Sequence, residues 1–64
     1  MKTYVIYDSR AYTDIASAAV IDTADTLEEA REAHEAQGSD GAIVEYDQVV
    51  KDGKAELRNP RIVK

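Results

Sequence analysis

The sequence predicts an α+β fold of ββαββ type, a four-stranded antiparallel sheet in the order 2-1-3-4 with one helix on one face. Three observations predict it. Thr26 to Gly38, TLEEAREAHEAQG, reads as one short, capped, acidic helix. Strand-like apolar runs flank that helix on both sides, and Asp52-Gly53 marks a tight hairpin near the end of the chain. Sixty-four residues make a single small domain spanning 1–64. A chain of this size hides only about 60% of the surface its unfolded form exposes, so its stability is marginal.

The first strand is Thr3 to Tyr7, TYVIY, dense in the β-branched and aromatic residues that suit a pleated surface. The second is Ser17 to Asp22, SAAVID. Between them DSRAYTDIA is either a long hairpin loop or a ragged extension of both strands, because it has neither Gly nor Pro to mark a turn. At the helix start, Thr26 and Glu29 have the spacing of a capping box. Asp25, Glu28 and Glu29 set negative charge at the positive end of the helix dipole. Gly38 ends the helix by taking a left-handed conformation without a Cβ clash. Leu27, Ala30, Ala33, His34 and Gln37 form its buried stripe, small enough for close approach to the sheet.

Asp40-Gly41 turns the chain into a third strand, Ala42 to Val50. A two-residue turn needs positive φ at both positions, which Asp52-Gly53 supplies, and the register follows. Val50 faces Ala55, Gln48 faces Leu57, Val49 faces Glu56 and Asp47 faces Arg58. One face then holds Ala42, Val44, Tyr46, Val50, Ala55 and Leu57 and is expected to be core. The other holds Ile43, Glu45, Asp47, Val49, Lys51, Lys54, Glu56 and Arg58 and is expected to be mostly solvated, with favourable cross-strand charge pairs. Asn59-Pro60 ends the last strand or confines it to a sheet edge, and Arg61 to Lys64 is a short tail or a fifth strand fragment. A right-handed crossover from the second strand to the third passes over the first and makes TYVIY central.

An imbalance follows. Both sides of the first two strands are apolar, and one short helix covers one side only. The other side either shows an apolar patch with a tyrosine in it, of the kind that marks interaction sites, or is covered by DSRAYTDIA folding back.

The chemistry of catalysis is sparse. There is no cysteine, so no disulfide framework and no Cys-based zinc site. The one histidine, His34, lies on the helix stripe, and Ser9, Ser17 and Ser39 carry no nucleophile signature. His34 is expected to be a boundary residue, its ring against the sheet and its polar edge toward water. No Asp-rich loop follows the calcium pattern, and each of the three glycines has a turn or cap role rather than a place in a phosphate-cradling loop. No catalytic, cofactor or metal site is expected, and no enzymatic activity.

The net charge is −5. It is also polarised: Asp22 to Asp47 carries −8, Gln48 to Lys64 carries +3, and the first twenty-one residues balance. That excludes the basic footprint of a nucleic-acid binder and favours a basic partner surface. Glu28, Glu32 and Glu35 fall on one outward helix face, with an Arg31–Glu35 pair worth a few tenths of a kcal/mol. These carboxylates are either a solubilising surface or a mimic of backbone phosphates that occupies a basic groove. No apolar run approaches the roughly 18 residues of a membrane span. Met1-Lys2 leads directly into a strand rather than a signal-type apolar region, so a cytoplasmic setting is expected.

Asp22–Asp47 (DTADTLEEAREAHEAQGSDGAIVEYD), the Asp52-Gly53 hairpin and Glu56–Val63 (ELRNPRIV) together cover most of the chain. In these cap and turn features the chain resembles the very short, acidic ββαββ open reading frames common in phages and other mobile elements. The resemblance implies an inhibitor of host defence systems, in the manner of anti-CRISPR proteins that bind effector complexes in the host cytoplasm. The expected function is a non-enzymatic protein-interaction module, a phage-type inhibitor or accessory factor that docks on a basic protein surface such as that of a nucleic-acid-binding effector. Asp25, Glu28, Glu32 and Glu35 supply the charge, and Val5, Tyr7 and Tyr12 the apolar anchors. The alternatives are an oligomeric carrier of an anionic nucleotide, held between subunits by Arg10, Lys51, Lys54, Arg58 and Arg61, or a structural oligomerisation module such as a homodimer.

Overall fold

The computed structural model describes residues 1–38 and 40–64; Ser39 lies outside the described residues. The chain runs β1 (Lys2–Tyr7), two 3₁₀ turns (Ser9–Tyr12 and Ile15–Ser17), β2 (Val20–Ala24), α1 (Leu27–Ala36), β3 (Ala42–Lys51) and β4 (Lys54–Ile62). The strands form one antiparallel sheet in the order β2-β1-β3-β4, with β1 and β3 inside and β2 and β4 at the edges.

The capping residues set the helix. The Thr26 hydroxyl accepts from the Glu29 amide at 3.1 Å, satisfying one of the donors that a helix start leaves open. At the other end Gly38 takes φ +91° and its amide bonds to the Glu35 carbonyl, so the chain leaves the helix there. Ala30 on the buried stripe lets α1 lie close to Tyr4, Ile6, Ala24 and Ile43, with Leu27 and Ala33 closing the sides of this cluster.

The segment between β1 and β2 is neither a plain hairpin loop nor a strand extension. Two aspartates organise it without Gly or Pro. The Asp8 carboxylate accepts from the Arg10 amide in the first 3₁₀ turn and from the Ala19 amide, just before β2. Asp14 does the same for the second turn, accepting from the Ala16 amide and the Ser17 hydroxyl. Because Ser17 is used in that turn, β2 starts at Val20 rather than at Ser17. The folded-back turns bury Ala11 and set Ile15 and Tyr7 against Val5, Val44 and Tyr46. Of the two outcomes open for the first two strands, the structure shows β1 covered by the chain itself, while Val20 and Ile21 of β2 stay exposed.

The hairpin register matches the expectation pair for pair, from Asp47↔Arg58 to Val50↔Ala55, with Asp52 and Gly53 at φ +54° and +77°. Two irregularities lie elsewhere. Ile6 pairs with Asp22 and Tyr7 with Val20, so Ile21 is an extra residue in β2. Asn59, at φ +55°, makes a bulge that takes Pro60 through β4 without ending it; Arg61 and Ile62 pair with Glu45 and Val44. The tail is therefore the continuation of β4, and Pro60 sits on an edge strand where its missing N–H does least harm.

The assignment of faces needs correction. α1 covers the face of Tyr4, Ile6 and Ile43, so Ile43 is fully buried rather than solvated. Ala42, Val44 and Tyr46 on the other face are buried as expected, Val44 and Tyr46 beneath Ile15 of the second 3₁₀ turn, but Val50, Ala55 and Leu57 on that same face are exposed. Reach explains this on both faces. On the α1 side a ten-residue helix spans about 15 Å, whereas the ten-residue β3 spans about 34 Å. On the side of Val50 and Leu57 the cover is the 3₁₀ turns, which pack Ile15 on Val5, Val44 and Tyr46 and leave Val50 exposed. Cover ends midway along β3, and the β3–β4 hairpin runs past it within a molecule whose extents are 37 × 24 × 15 Å.

Candidate functional site

Two surfaces stand out once the core is assigned. The first is the outward side of α1. Asp25, Glu28, Glu32 and Glu35 are all exposed. Six ion pairs form among the described residues, and none reaches Asp25 or α1. The expected Arg31–Glu35 pair is not among them. The helix thus presents carboxylates with no cation in contact among the described residues.

The acids of the sheet are arranged the opposite way. Arg61 donates to Glu45 at 2.7 Å and to Asp47 at 3.0 Å, Lys2 pairs with both carboxylates, and Asn59 donates to Asp47 at 2.9 Å. The Tyr4 hydroxyl donates to Glu45 at 3.1 Å and ties this network to the core. Hydrogen bonds from Lys2, Asn59 and Arg61 hold the Asp47 carboxyl far below its ordinary range. Arg61 and then Tyr4 lower Glu45 in the same way. These charges neutralise one another where α1 no longer covers the sheet, so they finish that face rather than offer it.

The expected apolar anchors are spread among different environments. Val5 is 5% exposed and lies inside the second core cluster. Tyr7 is half-buried, and its hydroxyl lies 2.7 Å from that of Tyr46. Burial, with this hydrogen bond, pushes the Tyr46 hydroxyl up to about 12. Both Val5 and Tyr7 are parts of the fold. Tyr12 keeps 53% of its surface exposed while its hydroxyl donates to the Gly41 carbonyl at 3.2 Å.

The second surface is the bare hairpin, where Val50 and Leu57, expected in the core, are exposed together with Ile62 of the expected tail. Val50 is 70% exposed, Leu57 47% and Ile62 45%. No local signal would have found them, because the 3₁₀ turns that cover this face, and stop short of the hairpin, were not expected from the sequence.

His34 departs from expectation as well. It is 2% exposed, not a boundary residue. Its Nε2 lies 2.7 Å from the Gly41 carbonyl oxygen, which accepts, so the proton is on Nε2 and Nδ1 carries a buried lone pair with no partner. Gly41 is required there for space: a Cβ at that position would overlap the Tyr7 carbonyl oxygen. His34 from one face and Tyr12 from the other thus meet at one carbonyl and fasten α1 and the first 3₁₀ turn to the start of β3.

Among the described residues there is no group of three or more potential metal ligands and no concave pocket. Arg10, Arg58 and Arg61 each contact carboxylates of their own chain, and Lys51 and Lys54 face each other at the hairpin tip, so these five cations are not gathered into one site. No helix among the described residues is long and apolar enough to cross a membrane.

Fold and surface define a small α+β domain with an open ββαββ sheet, one acidic helix and one uncovered hairpin. No protein-family model, curated protein or solved structure matches the chain.

Proposed function

We propose that this protein is a non-enzymatic interaction domain that docks its acidic helix on a basic protein surface, as an inhibitor or accessory factor of the phage type acting on a nucleic-acid-binding effector. The observation that carries the reading is the contrast between the two sets of acids. Glu45 and Asp47 are matched by Lys2, Arg61 and Asn59, while Asp25, Glu28, Glu32 and Glu35 contact no cation among the described residues. Unmatched like charges on one rigid element repel one another, and a partner that brings cations relieves that repulsion. Long-range attraction speeds encounter with such a partner and weakens as salt rises.

The test is capture from native host lysate in low salt, comparing the wild-type chain with the E28Q/E32Q/E35Q variant. The three side chains are exposed, so the variant keeps the fold by circular dichroism. The expected result is a basic partner retained by the wild type, released by salt, and lost or strongly reduced with the variant. Equal capture by both chains rejects the reading.

A further inference from the structure

We propose that a second copy of this chain pairs antiparallel with β4, so that two sheets join into one across a two-fold axis at Leu57. β4 is an open sheet edge, and all nine of its residues are exposed. The closing pair of the two-residue turn, Lys51↔Lys54, fixes which backbone groups are free. In an antiparallel ladder the hydrogen-bonded pairs alternate with pairs whose N–H and C=O point away. Lys54, Glu56 and Arg58 therefore turn their backbone groups to β3, and Ala55 and Leu57 turn theirs to the open edge. A strand added to β4 bonds to these outward groups; with Leu57 at the centre, Ala55 lies opposite the other copy's Asn59 bulge, so Leu57 carries the exchanged bonds.

Charge selects the occupant and the register. With the axis at Leu57, the two leucines exchange backbone hydrogen bonds. Glu56 of each copy then faces Arg58 of the other, twice, at the closely spaced positions where side chains meet best. With the axis at Glu56, Glu56 faces itself and Lys54 faces Arg58. With the axis at Arg58, Arg58 faces itself. Both of these put like charges opposite one another, which is unfavourable. With the axis at Ala55, Lys54 faces Glu56, but Leu57 lies opposite Gly53 and loses its apolar partner. Only the Leu57 axis joins opposite charges on one face and an apolar contact on the other, where Leu57 of one copy meets Leu57 of the second.

The other edge is less suited. β2 has five residues and an extra residue at Ile21, and α1 with its acids packs against it through Ala24 and Ala30. Self-pairing there brings two acidic helices together. At the β4 edge the bulge at Asn59 and the missing N–H of Pro60 end the free ladder on one side, and the turn ends it on the other. That favours one closed two-fold pair over an open fibre. An axis normal to the sheet leaves both helices on the same side, so the pair presents two acidic faces in one direction. The pairing stands without the function proposed above, since its test uses the purified chain alone.

The test is sedimentation velocity on the full chain across micromolar to submillimolar concentrations, with E56R, R58E and their equimolar mixture. The wild type is expected to dimerise. Each single variant places like charges at both facing positions and is expected to raise the dissociation constant by about tenfold or more. The mixture is expected to restore a dimer containing one copy of each. In that dimer the arginine introduced by E56R meets the glutamate introduced by R58E, and the unchanged Arg58 of the first chain meets the unchanged Glu56 of the second. The Glu56–Arg58 pair within a strand cannot produce this rescue, since each variant lacks it. Circular dichroism confirms that the variants are folded. A wild type that stays monomeric overturns the proposal, as do variants that dimerise unchanged, a mixture that stays monomeric, or open-ended assembly.

Discussion

The two ends of β3 obey the same alternation and meet opposite fates. At its start Ile43 and Val44 are neighbours on opposite faces, and both are 0% exposed, one under α1 and the other under the 3₁₀ turns. At its far end Val49 and Val50 are also neighbours on opposite faces, and both are exposed. The difference is not in the strand. It lies in how far the covering elements reach. Apolar alternation shows that a strand can be buried; only the length of what packs on it shows where burial stops.

The largest consequence is for stability. Ile43→Ala empties a fully enclosed site and is expected to cost about 2–5 kcal/mol, enough to unfold much of so small a domain in a thermal melt. The middle of the strand, where Asp47 binds Lys2, Asn59 and Arg61, is expected to show its effect as acid sensitivity. The folded carboxyl is depressed, so its stabilisation is complete above about pH 4, where an unfolded-chain aspartate is ionised. It is lost as pH falls toward and through the lower folded value. Asp47→Asn removes that ionisation, so its melting temperature is expected to fall below that of the wild type at neutral pH and to converge with it in acid. Equal differences at both pH values would show that Asp47 is not held by its cations. The smallest effect is expected at the bare end, where Val50→Ala changes stability by no more than about 0.5 kcal/mol.

Much of this was legible from particular residues. Asp52-Gly53 admits one turn geometry, and every pair from Asp47↔Arg58 to the turn follows from it. Thr26 and Gly38 delimit α1 because each satisfies a local requirement at a helix end. The 3₁₀ turns were not legible. Asp8 and Asp14 are ordinary residues in a polar stretch until their carboxylates find the amides two residues on, and a search for Gly and Pro passes over them. The choice of covered face was also hidden. Ile43 and Val44 are equally apolar, and nothing local says which one α1 approaches. The buried His34 was missed because its partner, the Gly41 carbonyl, belongs to the next element. The acidic helix face was read directly from Glu28, Glu32 and Glu35, since exposure of charged residues needs no long-range information. The hairpin strip was hidden because its extent depends on how far the 3₁₀ turns reach along β3, which local patterning does not contain.

The central claim is that β1 and the start of β3 are sealed by their own chain and the β3–β4 hairpin is left for association. Residue-resolved amide hydrogen exchange, measured on dilute and on concentrated protein, tests it most directly. Ile6, Ile43 and Val44 are expected to exchange slowly at both concentrations. The Leu57 amide is expected to exchange quickly in dilute solution and slowly in concentrated solution. Exchange at Leu57 that ignores concentration, or rapid exchange at Ile43 and Val44, would contradict the account.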